Sequence, residues 1–417
     1  MLERKRKLDC ANGREKADLV LKNGNVLNVF TEEVLKADVA ICGDTIVGVG
    51  EYEGKEEIDC TGKYLVPGFI DAHMHIESCM AAPGELAKVL AKAGTTTIIA
   101  DPHEIVNVSG TKGMDYFLKC AAKLLVNVFF MVPSAVPATD VETNGCGEFL
   151  ASDMMKYVDN ARVLGLGETM RFMECCEGEK RMADKLELFA KKHIDGHAPG
   201  IRGKEVQAYR LAGVENDHEC STAEEVLDKL RAGLHIYVRE GSGAKNLETL
   251  IKTMLDAGVC LDRCAFCTDD KHVEEIRKEG HISTCIRKAI ALGVPVAKAY
   301  KMGSYQAAEF YGLKNYGAIG AGYRADIVFL DDLEQVRPLD VMKDGRILTE
   351  EDYAKDYSVP VPDELLHTVH VGEVTKEKIR LSCDGKTDVI QMNPHQIVTT
   401  HLVEEVPAEN GYFKPDG

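Results

Sequence analysis

The sequence predicts an α/β protein: a (β/α)8, TIM-type barrel with a small β-sandwich domain built from both of its flanks. Three features lead there. Between residues 69 and 270, short apolar segments alternate with helical ones, giving eight strand candidates. Before them lie β-rich runs joined by Asn-Gly and Gly-Asp turns, and the same texture returns after residue 325. The 417 residues are long for one domain, and 45% hydrophobic with 28% charged residues leaves ample apolar surface for a large core.

Taken in order, residues 18–50, "DLVLKNGNVLNVFTEEVLKADVAICGDTIVGVG", read as an antiparallel meander. The barrel candidates follow: "FIDAHMH" (69–75), "TTTIIADPHE" (95–104), "VNVFFMVP" (126–133), "VLGLGE" (163–168), "HIDGHA" (193–198), "GVENDHE" (213–219), "LHIYVREGS" (234–242) and "CAFCTDD" (264–270). Helical stretches such as "PGELAKVLAKAG" and "STAEEVLDKLRAG" separate them. The second β flank is "ADIVFLDDLEQVRPLDVMKDGRIL", 325–348. The expected division is residues 1–66 and 323–349 for the two parts of the sandwich, 67–322 for the barrel, and 350–417 for a further segment.

Charge and targeting narrow the function. A formal charge of −18 argues against a nucleic-acid backbone as partner. The basic start "MLERKRKLD" is followed by charged residues, unlike a signal peptide, and no run of 18 apolar residues offers a membrane span. A cytoplasmic enzyme is expected, its fourteen cysteines free thiols in a reducing compartment. Homo-oligomerisation is left open.

The chemistry begins at "GFIDAHMHIES", residues 68–78. In an extended segment, residues i and i+2 share a face, so His73 and His75 point together, an arrangement that a cation between them would stabilise. In (β/α)8 barrels, chemistry gathers at the C-terminal strand ends. Here strand one ends in His73 and His75, strand two in Asp101, His103 and Glu104, and strand four in Glu168. Strand five carries His197, strand six His218 and Glu219, and strand eight Asp269 and Asp270. So many metal- or proton-competent residues at equivalent positions converge on one mouth.

"YLVPGFIDAHMHIES" resembles the first-strand signature of the amidohydrolase superfamily. "AGTTTIIADPHEIVNVSG", "VLGLGETM", "DGHAPGIRGK", "DHECSTAEE" and "CTDDKH" are similar to its adenine deaminase family. The resemblance runs from about residue 8 to the C-terminus. Family members continue past "GYFKPDG" with a further domain, so the chain resembles a C-terminally truncated member, with 350–417 a domain begun and not completed. The resemblance implies hydrolytic deamination of adenine to hypoxanthine and ammonia at a site of two divalent metal ions, with Mn2+ expected and Fe2+ or Zn2+ as alternatives. It implies His73 and His75 as first-strand ligands, Glu168 as the bridging carboxylate, His197 and His218 on the second ion, and Asp269 as ligand and acid/base. Many relatives in the superfamily bridge their ions with a carboxylated lysine on strand four. "RVLGLGETM" has glutamate there, which favours the deaminase family over hydrolases of cyclic amides.

Two ions sharing a water make a nucleophile at neutral pH, and a bridging carboxylate offsets part of their charge. In the implied mechanism, this nucleophile attacks C6 of the purine and Asp269 passes its proton to the leaving nitrogen. A second acid protonates the ring, with Glu77, Glu104 and Glu240 as undecided candidates. The competing functions are a metal- or purine-binding paralogue with little activity, or an amidohydrolase acting on a cyclic amide or another aminated heterocycle.

Three other patterns are set aside. Cys260, Cys264 and Cys267 have C-x3-C-x2-C spacing suited to a [4Fe–4S] cluster, but too little chain follows them, and an offset of three in a strand puts Cys264 and Cys267 on opposite faces. No P-C-x-x-C accompanies a zinc deaminase signature, which leaves Cys175 and Cys176 as loop or packing residues. "GLG" and "GVG" lack the full dinucleotide fingerprint.

Overall fold

The sequence folds, in the computed structural model, with residues 2–415 described apart from Val369 and Asp384. A helix, Leu2–Ala11, precedes five strands: β1 (Ala17–Asn28), β2 (Glu33–Cys42), β3 (Thr45–Gly50), β4 (Gly54–Asp59) and β5 (Tyr64–Pro67). The barrel strands are β6 (Phe69–Met74), β7 (Thr95–Ala100), β8 (Asn127–Val132), β9 (Val163–Thr169), β10 (His193–Gly196), β11 (Asn216–Asp217), β12 (His235–Arg239) and β13 (Cys264–Cys267). They alternate with helices. β14 (Ile327–Leu330), β15 (Asp340–Lys343) and β16 (Arg346–Ile347) follow.

Burial explains why the barrel strands read as apolar runs. β6 and β7 are buried along their whole length, interior on one side and helices on the other. Ile70, Ala72, Ile99, Met131, Tyr237, Ala265 and Cys267 pack inside, while Phe69, Ile98, Val128, Val238 and Phe266 pack outward. The helices supply the outer layer. Pro83–Lys92 starts on proline and buries Leu86, Ala87, Leu90 and Ala91, a spacing that keeps them on one face. Ala223–Arg231 is capped by Thr222, whose hydroxyl accepts from the Glu225 N–H.

The strands form parallel ladders β10-β9-β8-β7-β6 and β11-β12-β13. Main-chain bonds join the ladders at two seams. At one, Glu215 N–H donates to Ile194 O, 3.0 Å. At the other, Asp269 N–H donates to His73 O at 3.0 Å and His75 N–H to Asp269 O at 3.1 Å. The expected strand ends overrun. Pairing stops at Ala100, and His103–Glu104 open the helix His103–Ser109. In strand six, pairing covers only Asn216–Asp217.

The flanks meet as one eight-stranded sheet, ordered β16-β15-β14-β5-β1-β2-β3 with β4 also beside β1. β14 pairs antiparallel with β5, which ties the two flanks together. Leu21, Val39, Ile46, Leu65, Ile327 and Met342 share an apolar cluster separate from the barrel core. Beyond Ile347 come short helices at Glu350–Ala354 and Asp363–Leu366, then a hairpin of β17 (Lys386–Gln391) and β18 (Thr400–Glu405). No helix among the described residues is long and apolar enough to cross a membrane.

Candidate metal centre

Strand register delivers the first histidines. Ile70 and Ala72 face the interior, and pairing with β7 shifts register between Asp71 and Met74. That irregularity re-aims the strand end, so His73 joins His75 in facing the mouth. His75 Nδ1 lies 2.9 Å from the Asp101 carbonyl, which can only accept, so Nδ1 carries the proton and Nε2 is left for the site. His73 and His218 stack across the mouth, centroids 4.0 Å apart and planes 21° from parallel. Both are buried, and none of their ring nitrogens has a hydrogen-bond partner.

Glu168 sits at the centre of the imidazoles. Its Oε1 lies 3.5 Å from His75 Nε2, while Oε2 lies 2.8 Å from His197 Nδ1 and 3.2 Å from His218 Nε2. The carboxylate is placed through its own main chain. Glu168 N–H donates to Asp101 Oδ2 at 2.9 Å, and its carbonyl accepts from Ser134 Oγ at 2.6 Å. This explains the glycine before it: a Cβ on Gly167 would lie 2.2 Å from Asp101 Oδ2. Asp101 therefore supports the site from strand two, its side chain on the Glu168 main chain and its carbonyl on His75.

Asp269 continues the inward parity of Ala265 and Cys267, but at φ +56°. Its Oδ1 lies 3.2 Å from His75 Nε2 and 3.6 Å from His73 Nε2, and its Oδ2 accepts from Arg239 Nη1 at 3.0 Å. Across the mouth, Glu219 Oε1 lies 3.3 Å from His218 Nε2 and 3.6 Å from His197 Nδ1, and accepts from the same Arg239 nitrogen.

The electrostatics follow from this crowding. Burial works against ionisation of Glu168, yet His197 and His75 hold its carboxylate well below the usual range. Burial likewise opposes Asp269, and the His73 and His75 contacts hold it well below. Burial disfavours the imidazoliums of His75 and His218, but neighbouring carboxylates push both well above their ordinary value. The same carboxylates that favour the charged form of these buried imidazoles also favour a cation bound among them.

The donor set fits divalent metal. Ligand atoms lie within 4.8 Å of one another in the sets His73–His75–Asp269, His73–Glu168–His218 and His197–His218–Glu219. Imidazole with carboxylate suits zinc, iron or manganese at about 2.0–2.2 Å per bond. The unpartnered nitrogens of His73 and His218, and Glu219 Oε2, are the groups such a cation would satisfy.

The structure places the remaining candidates unevenly. Glu77 and Glu104 reach the rim. Glu104 Oε2 lies 3.5 Å from His75 Nδ1, and Glu77 Oε1 accepts from the Ile105 N–H while its Oε2 has no partner. Glu240 does not join them. It follows inward-facing Arg239, so it turns outward, where Oε1 accepts from Lys288 Nζ at 2.6 Å on the helix Ile282–Ala291. Asp270 sits with His75 and Glu104 at the exposed edge. Arg239 went unnoticed in the sequence, although alternation with Tyr237 points it inward. Cys264 packs in the outer layer and Cys267 in the interior, so they do not converge on a cluster.

The Amidohydrolase family profile matches residues 64–348. An adenine deaminase of Desulfitobacterium hafniense (strain Y51) is 46% identical over 405 residues, 97% of this chain and 71% of the relative. The chain belongs to the adenine deaminase family of amidohydrolases. An adenine deaminase of Clostridium acetobutylicum is 43% identical over 413 residues, covering 98% of this chain and 72% of that family member. Among solved structures, an adenine deaminase superposes with a TM-score of 0.60 at 19% identity, over 80% of this chain and 100% of that one. Atrazine chlorohydrolase from Arthrobacter aurescens TC1, complexed with zinc, gives 0.58 at 16% identity, over 80% and 96%. At these identities the superpositions show that the chain shares the fold of these enzymes.

Proposed function

We propose that the protein is a metal-dependent adenine deaminase that hydrolyses adenine to hypoxanthine and ammonia, with two divalent ions held by His73, His75, Glu168, His197, His218 and Asp269. Kinship with the deaminases supports the substrate. The observation that carries the binuclear reading is the division of Glu168, with one oxygen toward His75 and the other toward His197 and His218. Mn2+ is the expected metal, with Fe2+ or Zn2+ compatible with the same donors.

The ions, when bound, would lower the pKa of a water enough to supply a nucleophile at neutral pH. The protein's part is positioning and proton transfer. In this reading Asp269, whose Oδ1 lies 3.6 Å from His73 Nε2 and 3.2 Å from His75 Nε2, takes the proton released as water attacks C6 of adenine. Glu77 or Glu104 at the rim gives a proton to the adjacent ring nitrogen, so charge does not build up on the purine. Asp269 then hands its proton to the exocyclic nitrogen, which leaves as ammonia. The hydroxyl proton of the adduct returns to the rim acid as the carbonyl of hypoxanthine forms. Burial of the imidazoles and carboxylates strengthens each of these interactions.

The test is ammonia release from adenine by protein loaded with Mn2+, Fe2+ or Zn2+, compared with adenosine and guanine. Turnover of adenine alone supports the reading. Metal binding with no release from adenine under any of the three ions overturns it.

A further inference from the structure

Arg239 joins the two halves of the centre. It ends β12, is fully buried, and reaches three acceptors. Nη1 donates to Asp269 Oδ2 at 3.0 Å and to Glu219 Oε1, while Nη2 donates to Asn246 Oδ1 at 2.9 Å. Asp269 belongs with His73 and His75, whereas Glu219 belongs with His197 and His218. One guanidinium nitrogen thus ties a carboxylate from each side.

The far end of the guanidinium is fixed as well. Asn246 is buried, and its Nδ2 donates to Gln396 Oε1 at 3.1 Å. The adjacent Lys245 N–H donates to His395 O at 3.1 Å. Because the Asn246 oxygen accepts from Arg239 and its nitrogen donates to Gln396, the amide has one orientation. A chain of hydrogen bonds therefore runs from the segment before β18, through Asn246 and Arg239, to the carboxylate beside His73 and His75.

We propose that Arg239 is the positioning residue of the centre: it ties Asp269 Oδ2 so that Oδ1 faces the imidazoles, turns Glu219 toward His197 and His218, and is itself set by Asn246 and Gln396. The inference rests on the deaminase reading and assigns a role to residues that reading does not use. A rigid planar fork is needed, since the three acceptors are divided between Nη1 and Nη2, whereas an ammonium offers all its donors from one nitrogen on a flexible stem. Displacement of a reacting group by about 1 Å costs on the order of 100-fold in rate. A positioning role lowers kcat, whereas a contact to substrate raises KM.

The experiment compares Arg239→Met, Arg239→Lys, Asn246→Ala and Gln396→Ala in the metal-loaded full chain. Each is measured for kcat, KM, bound metal and thermal midpoint. Expected are a fall in kcat of about 100-fold for Arg239→Met, with most of the loss kept in Arg239→Lys, and about tenfold for Asn246→Ala. KM and bound metal stay within about threefold of wild type, and Asn246→Ala adds nothing once Arg239 is methionine. Should Arg239→Met fail to fold, Asn246→Ala and Gln396→Ala carry the test. Unchanged kcat in the folded variants, a rise in KM alone, or loss of metal in proportion to loss of rate overturns the proposal. Asp269→Asn separates the two hypotheses. If it abolishes turnover while the Arg239 and Asn246 variants keep it, only the positioning role fails. If Asp269→Asn retains turnover, the deaminase mechanism itself fails.

Discussion

His73 and His218 stack at 4.0 Å between centroids, although they come from the first and sixth barrel strands, and none of their ring nitrogens has a hydrogen-bond partner. Two buried imidazoles held face to face with four unsatisfied nitrogens are costly without something to bind. Their edges meet Glu168 Oε2 at 3.8 and 3.2 Å. On the proposed binuclear reading, the pair would be ligands to neighbouring cations that share the Glu168 carboxylate.

Elemental analysis tests that directly. Wild-type protein is expected to hold about two divalent ions per chain, as binuclear centres do. His73→Ala and His218→Ala are each expected to fall to one or fewer. His193→Ala serves as control, because its Nδ1 pairs with Glu215 at 2.7 Å at the opposite end of the strands. A wild-type plateau at one ion, unchanged in His218→Ala, would falsify the binuclear assignment.

Asp269 and Asp270 should separate sharply. Oδ1 of Asp269 lies between two imidazoles, whereas Asp270 is exposed at the rim. Asp269→Asn is expected to lower kcat by several orders of magnitude and Asp270→Asn by about tenfold or less. The reverse order in steady-state kinetics would move the proton-transfer role to the rim.

Gly167→Ala is expected to cost about 1–3 kcal/mol and to loosen metal binding, because its Cβ would lie 2.2 Å from the Asp101 oxygen that holds the Glu168 main chain. Urea denaturation together with metal titration checks both effects. Unaltered stability would show that Asp101 can move without disturbing Glu168.

His235, at the far end of the barrel, gives a pH dependence away from the centre. Burial, aided by Arg263, lowers its pKa to about 4, with Glu215 acting the other way and His193 and Arg210 adding to the depression. The unfolded chain takes up this proton near pH 6.5 and the folded chain only near 4, so stability falls as pH drops through that window. His235→Gln should flatten the decline between pH 6.5 and 4 relative to wild type. Parallel stability curves for the two proteins would rule out this contribution.

The β/α alternation and the position of His73, His75, Glu168, His197, His218 and Asp269 at strand ends were legible in the sequence, because strand parity and apolar runs are local properties. So was the link between the flanks, as similar β texture on both sides of the barrel, though not the β5–β14 pairing that makes them one sheet. Strand limits were less legible, since pairing ends where the chain turns to the mouth, as at Ala100 before His103. Strand parity with Tyr237 points Arg239 inward and Glu240 outward, but on sequence Glu240 stood as a candidate acid and Arg239 went unnoticed; the structure shows Lys288 holding that glutamate. Only the tertiary structure decided that Arg239 spans Asp269 and Glu219, that Asp101 supports Glu168, and that Asn246 meets Gln396. Those relations join residues from strands and loops far apart in the chain. Their distances depend on how the barrel closes and where the later segment lies, and neither leaves a periodic trace in sequence.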